Sequence, residues 1–89
     1  MSDGFEVVVS DEAAKAVGRL PKQVQRAVVA ALTALADDPR AGKPLTAELA
    51  GIWSLRRGDY RVLYRINDAT RRVEVARVGH RRDVYRRAR

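Results

Sequence analysis

The chain has 89 residues, no cysteine and one histidine, and its 18 basic and 11 acidic side chains give a net charge of +7. This length suits one apolar core, so we expect residues 1–89 to form a single domain. The composition excludes disulfide and thiolate chemistry and gives no support to a metal site. Because there is no signal-peptide pattern and no run near the ~20 apolar residues of a membrane span, we expect a cytoplasmic protein that binds no membrane.

The N-terminal segment predicts a strand followed by a first helix. Phe5–Val9 is short and rich in β-branched side chains, which favours a strand. Ser10 is a suitable N-cap, and Asp11–Glu12 places negative charge at the positive end of a helix. We expect this helix to end at Leu20–Pro21, because proline interrupts helical hydrogen bonding.

The second helix has the clearest pattern in the sequence, because one apolar stripe recurs at helical spacing. The stripe consists of Val24, Ala27, Val28, Ala31, Leu32 and Leu35. Pro39 ends this helix, since the residue before a proline avoids helical backbone angles. Residues 40–51, with two glycines and one proline, are expected to be a linker over the surface.

Three strands are predicted after the linker. Ile52–Arg57 and Tyr60–Asn67 flank Gly58–Asp59, a two-residue turn with glycine first, as a type II′ hairpin prefers. Arg72–Gly79 predicts the third strand, and residues 81–87 predict a last helical turn. The order β-α-α-β-β-β indicates an α+β fold, an antiparallel sheet with the two N-terminal helices packed on one face.

The two-residue turn fixes which side chains of the hairpin face each other. Side chains alternate between the two faces of a strand, so five of them share the face that packs on the helices. These five are Trp53, Leu55, Val62, Tyr64 and Ile66. We therefore interpret Trp53 as a core residue in preference to a platform for stacking bases.

On the other face of the hairpin, the register places Arg56 directly opposite Arg61. Like charges in such a pair are destabilising, and a purely structural sheet gains nothing from them. Two interpretations remain: an anion normally lies between the two guanidinium groups, or both side chains extend separately into water. We prefer the first.

The basic residues are concentrated in one part of the chain. Residues 52–89 carry twelve arginines, no lysine and four acidic residues, whereas residues 1–51 have a balance of −1. Arginine has a planar fork of donors that matches phosphate and stacks on bases. This distribution favours a polyanionic partner such as nucleic acid. The alternative is an arginine-rich surface that serves only solubility.

Two residues after the third strand have open interpretations. Tyr85 lies among arginines, which suits stacking on an unpaired base; its ring could equally pack on the edge of the sheet. Histidine is the residue type that titrates near neutral pH, which makes His80 a candidate general base. The simpler interpretation of His80 is a solvated surface side chain.

Three segments of the sequence resemble the RelE/ParE toxin superfamily, on the RelE side. They are Pro39 with Gly42–Leu45, Leu49 and Gly51 with Trp53–Tyr64, and Val78–Tyr85. The resemblance extends over nearly the whole chain. It implies the toxin of a type II toxin–antitoxin system, a ribosome-dependent mRNA endonuclease that inhibits translation and arrests growth.

The resemblance also implies roles for individual residues. Arg61 matches the arginine that stabilises the scissile phosphate, Arg81 the proton donor to the leaving oxygen, and Tyr85 the tyrosine that stacks on the substrate nucleotide. The family has two basic residues on the strand before the turn, and these positions correspond to Ser54 and Arg56 in this chain. Serine at position 54 therefore removes one basic contact. With Ser54, the residues expected to contact RNA are Arg57, Arg77, His80 and Arg82.

The implied reaction is attack of a ribose 2′-hydroxyl on the adjacent phosphate, which leaves a 2′,3′-cyclic phosphate and a 5′-hydroxyl without a metal or cofactor. The expected partners are mRNA, the ribosome and a RelB-like antitoxin with an acidic helical segment, through which the complex could bind operator DNA. Two alternatives stay open. One is a ParE-like inhibitor of DNA gyrase without nuclease activity, and the other is a non-catalytic RNA-binding module.

Overall fold

The computed structural model describes residues 4–85. The predicted order of elements is confirmed, with one additional short strand. Strand β1 (Glu6–Val9) precedes helices α1 (Asp11–Gly18) and α2 (Lys22–Leu35). Four strands follow, namely β2 (Lys43–Pro44), β3 (Trp53–Arg57), β4 (Tyr60–Asn67) and β5 (Arg72–His80).

Both helices begin and end near the expected residues. The Ser10 hydroxyl accepts a hydrogen bond from the Ala13 N–H at 3.1 Å and caps α1. Pro21 is the N-cap residue of α2, where a missing N–H is tolerated.

Within residues 4–85, no helix is long and apolar enough to cross a membrane.

The five strands form one sheet in the order β1-β5-β4-β3-β2. Pairing is antiparallel from β2 to β5, as expected, but β1 runs parallel to β5. Parallel pairing requires a long connection, and here two helices and the other strands separate β1 from β5 along the chain. The fold is therefore α+β, with a mostly antiparallel sheet.

The prediction of a plain linker over residues 40–51 was wrong. Lys43–Pro44 pairs with β3 at the sheet edge, and Ala47–Leu49 forms a 3-10 turn. A methyl group on Gly42 would lie 2.6 Å from the Ser54 carbonyl oxygen, so only glycine permits this close approach.

The register of the β3–β4 hairpin is the predicted one, including Trp53 opposite Tyr64 and Arg56 opposite Arg61. Gly58 has φ of +60°, and Asp59 is not among the residues with positive φ. This combination is that of a type II′ turn, because a type I′ turn would need positive φ at both positions.

The helices cover the sheet face that was expected to be apolar. Val28, Ala31 and Leu35 of α2 are buried against Leu55, Val62 and Tyr64 of the hairpin, among other side chains. Trp53 is half-buried at the border of this core, with its ring stacked 6.4 Å from that of Tyr64. Its interpretation as a core residue is confirmed.

The opposite face of the sheet is also partly covered. Ser54, Leu63 and Val84 are buried but do not belong to the core under the helices. Residues 81–85 form a turn that folds back over Gly79, and the N–H groups of Asp83 and Val84 donate to the His80 carbonyl oxygen. The helical turn expected over residues 81–87 is thus seen in part, since residues 86 and 87 lie outside the described residues.

Candidate functional site

A cleft of about 460 Å3 opens beside β2, β3, β4 and Tyr85, next to the face that carries Ser54, Arg56 and Arg61. We call it the arginine cleft. Its polar lining consists of Lys43, Ser54, Arg56, Arg57, Arg61 and Tyr85. The rest of the lining is small or apolar and includes no carboxylate. Four cations therefore face one cavity without an internal counter-ion, which is the arrangement expected of an anion-binding site.

Arg56 and Arg61 lie opposite each other in this cleft, as the hairpin register requires. Neither forms an ion pair within residues 4–85. The Nε atom of Arg61 is buried and has no hydrogen-bond acceptor. A buried donor on a charged group is costly to leave unpaired, and Arg61 lines the cleft, so its guanidinium group has unused capacity to bind an anion.

The hairpin turn holds the guanidinium group of Arg56. Its Nε donates to the Gly58 carbonyl oxygen at 3.1 Å, and the Arg56 carbonyl oxygen accepts from Nη1 of Arg57 at 2.8 Å. Both arginines remain exposed beyond these contacts. The turn thus orients Arg56 while leaving its terminal nitrogens available to a ligand.

Ser54 and Tyr85 meet in the cleft. Their hydroxyl oxygens are 2.9 Å apart, within hydrogen-bond distance, and Ser54 is only 9 % exposed. The contact fixes the Tyr85 ring beside the arginines although the turn of residues 81–85 is not part of the sheet. Sequence reasoning identified both residues but not their contact, because a separation of 31 residues gives no spacing pattern.

Arg81 lies beside the hairpin turn and does not line the arginine cleft. Its N–H donates to the Asp59 carbonyl oxygen at 2.7 Å, and its Nε is 3.9 Å from the Asp59 carboxylate. The side chain is half exposed, and a long ion pair of this kind adds little stability. Arg81 is therefore held at the hairpin turn by a backbone hydrogen bond, with a weak ion pair on its side chain.

Arg77 and His80 belong to a different cavity, between α1 and the C-terminal part of β5. Arg77 pairs with Glu12 of α1, and the His80 ring meets the Tyr60 ring edge-on at 5.6 Å. The Nδ1 atom of His80 accepts a hydrogen bond from the exposed Arg82 N–H. These three residues, expected to contact RNA, are thus separated from the arginine cleft.

Tyr64 connects the core to the edge of the cleft. Its hydroxyl donates to the Pro39 carbonyl oxygen at 2.7 Å and accepts from the Gly42 N–H at 3.1 Å. Burial raises the pKa of Tyr64 above its ordinary value of 10.0, and the hydrogen bond from Gly42 opposes this shift in part. Tyr64 thereby holds the chain that leads into β2 and places Lys43 at the cleft.

No group of three or more potential metal ligands occurs among residues 4–85. The arginine cleft itself contributes cations and hydroxyl groups, which bind anions and not metal ions. The side chains of the cleft therefore suit an anion, and Tyr85 lies beside them.

Comparison with known proteins gives the family. Residues 7–85 match the model for the ParE toxin of the type II toxin–antitoxin system. The chain is 46 % identical to toxin RelG of Mycobacterium tuberculosis over 85 residues, which covers 93 % of this chain and 98 % of the relative. It is 41 % identical to toxin RelE of the same organism over 90 residues, covering 97 % and 93 %.

A solved structure is similar in both sequence and fold. It is the toxin–antitoxin complex RelBE2 from Mycobacterium tuberculosis, in which the matching chain is 43 % identical, with a TM-score of 0.79. The match covers 86 % of this chain and 91 % of that chain. On these matches, the chain belongs to the RelE/ParE family of type II toxin–antitoxin toxins.

Proposed function

We propose that this toxin is a ribosome-dependent mRNA endonuclease that inhibits translation. The observation that carries the proposal is the buried, unpaired Nε of Arg61, opposite an Arg56 that also has no carboxylate partner among the described residues. A phosphodiester between the two guanidinium groups would place its negative charge beside both cations, and the second negative charge that develops in the transition state would balance the pair. The RelE and RelG names of the relatives support the same activity.

In the proposed reaction, a ribose 2′-oxygen forms a bond to the adjacent phosphorus while the bond to the 5′-oxygen of the next nucleotide breaks. Solvent water takes the proton of the 2′-hydroxyl, and the leaving 5′-oxygen takes up a proton from water beside Arg81. The products carry a 2′,3′-cyclic phosphate and a 5′-hydroxyl. Arg56 and Arg61 stabilise the negative charge that develops on the non-bridging oxygens. Tyr85, held by Ser54, stacks on a neighbouring base and helps to align the attack.

Arg81 acts at the leaving 5′-oxygen in this proposal. To reach it, the side chain gives up its 3.9 Å contact with Asp59, which costs little at an exposed position. A guanidinium group holds its protons tightly, so Arg81 contributes mainly by placing a hydrogen bond and positive charge where negative charge develops.

Dependence on the ribosome follows from what lines the cleft. The lining contains no histidine and no carboxylate, the side chains best suited to carrying protons near neutral pH. The protein therefore supplies charge and orientation but little acid–base catalysis. We expect slow cleavage of free RNA and efficient cleavage when the ribosome holds the mRNA in the reactive conformation.

The proposed partners follow from the family and the charge. RelBE2 is a toxin–antitoxin complex, and a RelB-like antitoxin with an acidic helical segment would complement the basic arginine cleft. Such a complex could bind operator DNA through its antitoxin. We place the toxin in the cytoplasm, where its ribosomal target lies.

The test adds purified protein to a translating extract and maps the 5′ ends of the mRNA. Wild type is expected to create new 5′-hydroxyl ends within coding regions, and Arg61→Ala is expected to abolish them. Arg26→Ala, an exposed arginine of α2 that lines none of the three cavities described for residues 4–85, is the matched control. Intact mRNA with wild-type protein would overturn the nuclease proposal.

A second candidate function is inhibition of DNA gyrase, because the matching family model is that of ParE toxins. A gyrase supercoiling assay run beside the extract separates the two candidates. Loss of supercoiling together with intact mRNA would favour gyrase inhibition. Against it stands the joint presence of Arg61, Arg81 and Tyr85, which the gyrase inhibitors of this superfamily generally lack.

A further inference from the structure

The short strand β2 brings a lysine into the arginine cleft. Lys43 lies directly opposite Ser54 in the β2–β3 pair, and both line the cleft. We propose that Lys43 binds the RNA backbone at the phosphate next to the one held by Arg56 and Arg61. This inference rests on the proposed function and assigns a residue that sequence reasoning placed in a linker.

The position of Lys43 relative to the arginine pair follows from the sheet. Ser54 is two residues before Arg56 on β3, so its side chain lies on the same face, one row farther from the turn. Lys43 is one strand beyond Ser54. With strands ~4.8 Å apart and a rise of ~3.3 Å per residue, its Cα is about 8 Å from that of Arg56. That separation suits a second phosphate on the same single strand.

Backbone contacts on both sides of Lys43 fix its position at the edge of the sheet. On one side, Tyr64 binds the Gly42 N–H, and Gly42 packs directly on the Ser54 carbonyl group. On the other side, the Leu45 N–H donates to the Ile52 carbonyl oxygen at 2.8 Å. The base of the Lys43 side chain is thus fixed while its exposed amine remains free to move.

The charge around Lys43 favours a polyanion. Lys43 forms no ion pair within residues 4–85, and the other charged side chains of the cleft are arginines. Its amine is a compact charge on a flexible stem, which suits a phosphate without reading a base. Lys43 should therefore strengthen RNA binding about equally for all sequences and leave the chemical step to the arginines.

The first test measures binding of a 2′-O-methyl RNA oligonucleotide of twelve nucleotides, which cannot be cleaved because its 2′-oxygens are blocked. Fluorescence anisotropy at several salt concentrations gives the dependence of affinity on salt. Each phosphate contact on a single strand adds about 0.7 to the log–log slope. Lys43→Gln should reduce the slope by about 0.7 and weaken binding about fivefold at ~0.1 M salt.

Two variants serve as controls in the same assay. Lys43→Arg keeps the charge and should bind as wild type does. Lys22→Gln removes an exposed lysine of α2 that does not line the cleft, and it should change neither affinity nor slope. Circular dichroism checks that Lys43→Gln folds as wild type does. An unchanged slope for Lys43→Gln would overturn the assignment.

A second test follows cleavage of ribosome-bound mRNA, and it separates this inference from the proposed function. Lys43→Gln should raise KM about fivefold and leave kcat within about twofold of wild type. Equal KM and equal salt slope for Lys43→Gln and wild type would overturn the role of Lys43 alone. A wild-type protein that binds the oligonucleotide through Lys43 but cuts no mRNA would overturn the nuclease proposal alone. No binding by wild type at low salt would overturn the role of Lys43, whereas the nuclease proposal is decided by the cleavage of ribosome-bound mRNA.

Discussion

The hydroxyl groups of Ser54 and Tyr85 lie 2.9 Å apart and join the turn of residues 81–85 to the central part of the sheet. The resemblance to RelE-like toxins led us to expect a basic side chain at position 54, and serine there means one charge fewer in the cleft. In its place, Ser54 provides a fixed hydrogen-bond partner for the tyrosine that we expect to stack on RNA. The cleft thus combines a charged part, formed by the arginines, with an orienting part formed by two hydroxyl groups.

Ser54→Ala and Tyr85→Phe are expected to lower the cleavage rate by a similar amount, because each removes one side of the same hydrogen bond. A net contribution of about 0.5–1.5 kcal/mol corresponds to a loss of roughly two- to tenfold. The double variant should be no slower than either single variant, which a double-mutant cycle on ribosome-bound mRNA would measure. Multiplicative losses would mean that the two hydroxyl groups act independently.

A small phosphate ligand should stabilise the folded protein through Arg61. At ten times its Kd, pyrophosphate would contribute about 1.4 kcal/mol and raise Tm by roughly 6–10 °C. Arg61→Gln should lose most of this increase because the unpaired buried donor is removed. Thermal unfolding with and without pyrophosphate checks this, with Arg26→Gln as the control. The same increase in Arg61→Gln as in wild type would place the bound anion elsewhere.

Arg81→Ala should relieve growth arrest while the antitoxin still binds, because we assign Arg81 to the leaving oxygen and not to the fold. Its exposed 3.9 Å contact with Asp59 contributes little, so unfolding should change by less than about 1 kcal/mol. Induction of the toxin gene, followed by co-purification with the antitoxin, gives both results. Continued arrest at the wild-type level would remove Arg81 from the mechanism.

The sequence was sufficient to predict the Arg56–Arg61 pair because a two-residue turn at Gly58 fixes every partner on the hairpin. It was not sufficient for Lys43, since a strand of two residues that includes a proline has no alternating pattern and resembles a loop. The parallel pairing of β1 with β5 was also missed, as strand composition does not specify a neighbour across 66 residues.

The position of Arg77 shows a further reason why the sequence did not predict every residue of the cleft correctly. Composition alone grouped it with the other arginines of residues 52–89, yet it pairs with Glu12 of α1. Beyond Val75, β5 no longer pairs with β1, and helix α1 lies beside this part of β5. Tertiary packing therefore decides which arginines face the cleft, and local sequence patterns do not contain this information.

Tyr64→Phe should test how strongly the core positions β2. Loss of the hydroxyl leaves the Pro39 carbonyl oxygen and the Gly42 N–H without their partner, which should cost about 1–3 kcal/mol of unfolding free energy at pH 8. Urea unfolding measures this. Tyr60→Phe, whose hydroxyl has no hydrogen bond within residues 4–85, is the control and should change stability much less.

The raised pKa of Tyr64 gives the same variant a distinct dependence on pH. Burial keeps the phenol protonated in the folded state above pH 10, whereas the unfolded chain ionises near that value. Above pH 10 the unfolded state therefore binds fewer protons than the folded state. The contribution of Tyr64 to the unfolding free energy is fully present below pH 10, and it is lost as the pH rises through the pKa of the folded state. Between pH 9 and pH 11, wild type and Tyr60→Phe should lose more stability than Tyr64→Phe. Parallel losses in all three proteins would show that Tyr64 does not titrate in the folded state as its burial requires.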